Sequence, residues 1–136
     1  MGYISEKHYN SALAYEKWLQ AKRTQARGMT LYIQGMTSDA HIQAFNHLIT
    51  WARENRNLLA LQGRIIQAIQ ERRQDKAKDS REIQDMNTVA VLNGYHDTYV
   101  GVYEIALAEL ESRYQEFVSI VEREQQRERE AFSQTA

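Results

Sequence analysis

Residues 100–121 read VGVYEIALAELESRYQEFVSIV. The apolar residues Val100, Tyr103, Leu107, Leu110, Tyr114, Phe117 and Val121 recur in alternating steps of three and four. That rhythm keeps seven side chains on one stripe of an α-helix, the seam pattern of coiled coils and narrow bundles. A strand would need a period of two. The stripe therefore predicts an all-α protein.

Upstream, Met86, Val89, Asn93 and His96 carry the same rhythm into Val100. A second apolar stripe, Leu92, Tyr95, Tyr99, Val102 and Ala106, lies beside the first, and Gly94, Gly101 and Ala108 form a seven-spaced edge of small residues. A helix with two apolar faces is usually central, with neighbours on both sides. Asp79 followed by Glu82 resembles a capping box, so this third helix is expected to start there, after a linker over Asp75–Ser80, and to run to about Phe132. Asn93-Gly94 is a turn-type dipeptide. The expected fold is an elongated antiparallel bundle of three long helices with coiled-coil-like seams, or four if the third breaks at Asn93-Gly94.

The second helix is expected over about Ser38–Gln74, with Phe45, Leu48, Ala52, Leu59, Ile66 and Ile69 on one seam and Asn55 and Gln62 in its two polar positions. Ile49, Leu58, Leu61 and Ile65 widen the apolar face, while Arg53-Glu54-Asn55-Arg56-Asn57 is polar on every side and marks a kink or a wet turn. The first helix starts after Ser5 as N-cap and continues through the ambiguous Met29–Met36 segment to Gly35, with Thr37 or Ser38 capping the next. Beyond Val121 the seam stops, and Glu122–Glu130 is entirely charged or amide. Residues 1–121 are thus read as the bundle and 122–136 as a charged helical extension or tail.

Composition agrees. The chain has 136 residues, 43% of them apolar, and no proline, which favours long helices over turn-rich folds. It has no cysteine, so disulfides, thiolate metal sites and cysteine nucleophiles are excluded. No apolar run approaches the ~18 residues of a membrane span. The segment Met1–Lys7 lacks the features of a signal peptide, and Glu6 stands where a myristoylation motif needs Ser or Thr. A soluble, cytoplasmic protein without membrane attachment is expected.

The net charge of −1 hides a split: basic residues dominate through Arg81 and acidic ones from Glu82 onward. Internal pairing between helices accounts for this most simply. A basic surface of Arg53, Arg56, Arg64, Arg72, Arg73, Lys76, Lys78 and Arg81 could instead meet phosphates.

Catalytic patterns are absent from the spacing. A di-metal bundle needs Glu-x-x-His pairs, but the residues three before His8, His41, His47 and His96 are Ser5, Ser38, Ala44 and Asn93. There is no P-loop and no G-x-S-x-G elbow, and no cofactor is expected. Asn93, His96 and Asp97 interrupt an apolar seam and are expected, with Asn55, to form a buried polar layer that fixes register. The leading functional expectation is a non-enzymatic protein-interaction or structural protein. It would act as a homo-oligomer or as a small helical subunit of a larger assembly, with Leu92, Gly94, Tyr95, Tyr99, Gly101, Val102 and Ala108 in the contact. The alternatives are a nucleic-acid-binding accessory subunit using the basic surface, and a ligand-binding or enzymatic bundle around His96.

Overall fold

A chain rich in helix formers and free of proline contains little to interrupt a helix except its own polar clusters. The computed structural model describes residues 11–30 and 36–135. Among them it holds α1 (Ala12–Thr30), α2 (Met36–Glu54), α3 (Leu58–Glu82), α4 (Met86–Ser112) and α5 (Tyr114–Thr135), and no strand. No helix among the described residues is long and apolar enough to cross a membrane. The expected N-cap Ser5 and the end of the first helix near Gly35 fall outside the described residues; Thr37 and Ser38 lie within α2.

The all-α class holds, but the count of three or four helices is replaced by five, because the chain breaks at places other than those expected. The second helix is two helices. Its all-polar middle gives no face to bury, and two residues there serve as stop and start. Asn55 donates from its backbone N–H (2.8 Å) and from Nδ2 (2.9 Å) to the Trp51 carbonyl, closing α2. Asn57 has extended backbone and its side chain accepts from Leu59 N (2.8 Å) and Ala60 N (3.2 Å), capping α3. Direction reverses here, and the buried face keeps Ile69 of the expected seam but otherwise moves to the apolar residues expected beside it. Leu58, Leu61 and Ile65 are buried, while the expected seam residue Ile66 is 39% exposed.

The helix through Asn93-Gly94 does not break. Gly94 sits inside α4, where the three–four rhythm outweighs the cost of one glycine, about 1 kcal/mol. The chain bends instead at Arg113 (φ −113°, ψ 19°). Backbone bonds Arg113 N to Glu109 O and Phe117 N to Arg113 O, both 3.0 Å, carry through the bend. α5 then runs without interruption across the expected boundary at Val121–Glu122. The expected linker over Asp75–Ser80 is helical. α3 continues to Glu82, and the cap that starts α4 is Asp85, which accepts from Asn87 N (3.1 Å) and Thr88 Oγ1 (2.7 Å). The turn therefore falls several residues later than read, and every pairing across it shifts.

The first four helices alternate in direction. α1 packs antiparallel to α2, as Arg23 Nη1 to Asn46 Oδ1 (3.0 Å) and Arg53 Nε to Glu16 Oε2 (3.2 Å) show. α3 packs antiparallel to α4, with Lys76 Nζ on Asp97 (2.7 Å) and Gln62 Nε2 on Glu111 (3.2 Å). α4 also lies against α2, and α5 meets α1. The core is built from Tyr15 and Leu19, Leu48 and Ile49, Leu61 and Ile65, Tyr103 and Leu110, and Phe117, all fully buried or nearly so. Tyr15 joins three helices: its ring meets Phe117 edge-on at 5.3 Å, and its hydroxyl donates to the Ala106 carbonyl at 2.7 Å.

The start of α1 locks the α2–α3 turn. Ala12 N donates to Arg56 O (3.1 Å), and Leu58 N donates to Ser11 Oγ (3.3 Å). Glu16, only 7% exposed, accepts from Arg53 Nε (3.2 Å), Arg56 Nη1 (2.9 Å) and Gln20 Nε2 (2.8 Å). Replacing Glu16 with Gln removes the charge from bonds to two arginines and should lower stability by about 1–3 kcal/mol, measurable by chemical denaturation. Gly63, inside α3, has nothing within 4 Å of where a Cβ would stand. Gly63→Ala should therefore raise stability by about 0.5–1 kcal/mol, and an unchanged midpoint in the same assay would contradict this.

Candidate functional site

Two surfaces stand out, and both depend on α4. The first is its outward side. Ala90, Val91, Gly94, Thr98, Gly101, Ile105 and Ala108 follow one another at helical spacing, away from the sides that meet α2 and α3. None is charged. Val91 is 45% and Ile105 66% exposed, and added Cβ atoms at Gly94 and Gly101 would meet nothing within 4 Å. The strip is about 27 Å long. Of the residues expected at a contact, Gly94, Gly101 and Ala108 lie on this strip. Leu92 and Tyr95 are half-buried, Tyr99 packs against the core and Val102 is buried. The later part of the second apolar stripe thus meets the chain's own core, while the separate edge of small residues stays open.

The second surface is a cleft of about 310 Å³ where α2, α3 and α4 converge. α2 contributes His47 and Trp51, one turn apart, and α4 contributes Tyr103. The His47 ring is stacked between Trp51 (5.9 Å) and Tyr99 (5.7 Å), and its Nδ1 is 3.0 Å from the Tyr103 hydroxyl. α3 contributes Arg64, Ala68 and Arg72, each one turn after the last. The Arg64 guanidinium lies over Trp51 at 4.3 Å and that of Arg72 over Tyr99 at 4.0 Å. Arg64 Nη1 is buried with no hydrogen-bond partner among the described residues. Glu71 and Asp75, both exposed, form the rim.

Burial lowers the His47 pKa from the ordinary 6.5, and the Arg72 and Arg64 charges push the same way. Burial also pushes the Tyr103 hydroxyl up to about 12, against the pull of Arg72. At neutral pH the floor of the cleft is an uncharged imidazole–phenol pair facing two guanidinium groups.

The expected polar layer is rearranged. His96 is buried, but Asn93 is half-buried and Asp97 exposed, and their partners are on α3 rather than near Asn55. Asn55 instead bonds to Trp51 O. The later turn explains the difference. His96 Nε2 is 2.7 Å from Asp79 Oδ2 and its Nδ1 faces Arg72 Nη1 at 3.5 Å. Arg72 can only donate, so a neutral His96 carries its proton on Nε2, toward Asp79. Ser80 Oγ donates to Asn93 Oδ1 (3.4 Å), and Lys76 pairs with Asp97. His96 thereby braces Arg72 at the edge of the cleft.

The basic residues are largely engaged within the chain. Arg53 and Arg56 pair with Glu16, Arg73 with Glu104 and Lys76 with Asp97; Arg64 and Arg72 lie on aromatic rings; Lys78 and Arg81 are exposed. Among the described residues no group of three or more His, Asp or Glu side chains is placed to hold a metal ion. No family model, no curated protein and no solved structure matches this chain.

Sequence reasoning missed the cleft. Arg64, Ala68 and Arg72 at four-residue spacing, and His47 with Trp51, are visible as pairs on helix faces. They meet only when α2 and α3 fold back on each other, which a single continuous second helix forbids.

The lowered His47 pKa has a pH consequence. As pH falls below the ordinary 6.5, the unfolded chain binds a proton at His47 that the folded chain resists, so this group's contribution to stability declines from there until the folded pKa is reached. His47→Gln should flatten that part of the stability–pH curve, measured by denaturation at several pH values. NMR titration should place the wild-type His47 midpoint below that of a free histidine.

Proposed function

We propose that this chain is a non-enzymatic interaction protein that pairs with a second copy of itself through the outward strip of α4. The observation that supports the reading is the strip itself: seven uncharged positions, two of them glycines with open space above them, between exposed Val91 and Ile105.

The strip is self-complementary. In an antiparallel crossing centred between Tyr99 and Val100, Val91 of one copy lies opposite Ala108 of the other, Gly94 opposite Ile105, and Thr98 opposite Gly101. A two-fold axis requires this kind of reciprocal match, and two-fold dimers are the commonest closed assemblies. The absence of charge removes any like-charge penalty on bringing identical faces together. Glycines permit close backbone approach, and the flanking Asp97 and Glu104 are already neutralised by Lys76 and Arg73 of the same chain.

Light scattering of the purified chain at micromolar concentration should give a dimer mass. Ile105→Glu places a charge in the strip and Gly101→Leu crowds the crossing; each should shift the mass toward monomer with the helical circular-dichroism signal retained. A monomeric wild-type chain at that concentration defeats the proposal.

A further inference from the structure

We propose that the cleft between α2, α3 and α4 binds a small discrete oxyanion, a phosphate group free or carried on a small molecule, between Arg64 and Arg72. Two planar guanidinium groups flank one cavity of about 310 Å³, one turn above and one turn below Ala68, whose short side chain leaves the space between them. Each is held flat on an aromatic ring, Arg64 on Trp51 and Arg72 on Tyr99. Stacking fixes the plane and leaves the N–H edges directed sideways, the orientation in which guanidinium forks receive the oxygens of a phosphate. Arg64 Nη1 is already withdrawn from solvent and has no acceptor among the described residues. A buried donor without a partner is costly, and a small shift of the side chain toward a bound oxygen would satisfy it.

The floor suits the same ligand. His47 and the Tyr103 hydroxyl supply polar hydrogen-bonding groups 3.0 Å apart. The charged groups that bear on His47 are Arg72 and Arg64, so the floor lies in a positive field although Glu71 and Asp75 stand at the rim. Those rim carboxylates set the size of the guest. A single phosphate group passes them and is held beyond them, whereas a nucleic-acid backbone would run its neighbouring phosphates against them. Arg72 is in turn braced by His96, itself anchored on Asp79.

The test is an NMR titration of the full chain with inorganic phosphate and with pyrophosphate, reading the His47 ring signals, with sodium chloride at matched ionic strength as control. Saturable displacement of those signals by phosphate or pyrophosphate, absent with chloride, is expected. Arg64→Gln should weaken the affinity at least about tenfold, since it removes a charge-assisted fork, while Glu71→Gln combined with Asp75→Asn should strengthen it. If Arg64→Gln does not fold, Arg64→Lys keeps the charge and the stem but loses the fork, and it too should weaken binding. The proposal is overturned if neither anion moves the His47 signals at ~10 mM, far above a specific site's range, or if chloride moves them equally. It is overturned as well if the Arg64 variant that folds binds as the wild type does. A single-stranded oligonucleotide that binds more tightly than pyrophosphate, with the loss falling on the same variants, would overturn the restriction to a discrete ion.

Discussion

Everything in the bundle depends on the chain reversing between α2 and α3, and the interaction that holds the reversal is the buried carboxylate of Glu16. It sits on α1 and takes bonds from Arg53, at the end of α2, and Arg56, inside the turn. The three residues between the helices form too short a connection to hold its own backbone groups, and α1 supplies the partners: Ser11 Oγ for Leu58 N and Ala12 N for Arg56 O. A carboxylate this buried is tolerable only when its charge is answered at close range. Two arginines answer it, so α1 and the turn specify each other. Without the reversal, α2 and α3 would be one rod, α3 could not lie beside α4, and the cleft would not exist.

From that point the aromatic residues carry order across the molecule. Trp18 stacks on Tyr15, Tyr15 meets Phe117, and separately Trp51, Tyr103, Tyr99 and His47 form a connected group. Large rings bury much apolar area with few torsions to freeze. Their polar edges are placed as carefully as their faces: Tyr15 reaches a backbone carbonyl and Tyr103 reaches His47. Arginines finish the second group by lying on its outer rings.

Much of this was legible in the sequence. The three–four rhythm of Val100–Val121 identified helix, and Tyr103, Leu110, Phe117 and Val121 are indeed buried. The charge split also has its expected physical outlet, since basic α3 pairs with acidic α4. The breaks were harder to read, because local signals competed. Asp79 and Asp85 are both plausible helix starts, and only Asp85 caps one. Asn93-Gly94 and Arg53–Asn57 both resemble interruptions, and the one with no apolar face gave way. Periodicity reports which residues share a face, not which faces meet. The pairing of His47 and Trp51 with Arg64 and Arg72 is a matter of which faces meet, and it follows from a turn only three residues long.

The far half of the α3–α4 pair differs in kind from the rest. No apolar residue is buried beyond Ile69 on α3 or before Val102 on α4. What joins the two helices there is a ladder of ion pairs and amide or hydroxyl contacts: Arg73 with Glu104, Lys76 with Asp97, Asp79 with His96, and Ser80 with Asn93. Contacts between exposed charges weaken as ionic strength rises, while burial of apolar surface does not. The molecule consequently has a salt-hard end, where α1, α2 and α5 close the core, and a more salt-sensitive end, where exposed ion pairs carry much of the contact between two helices.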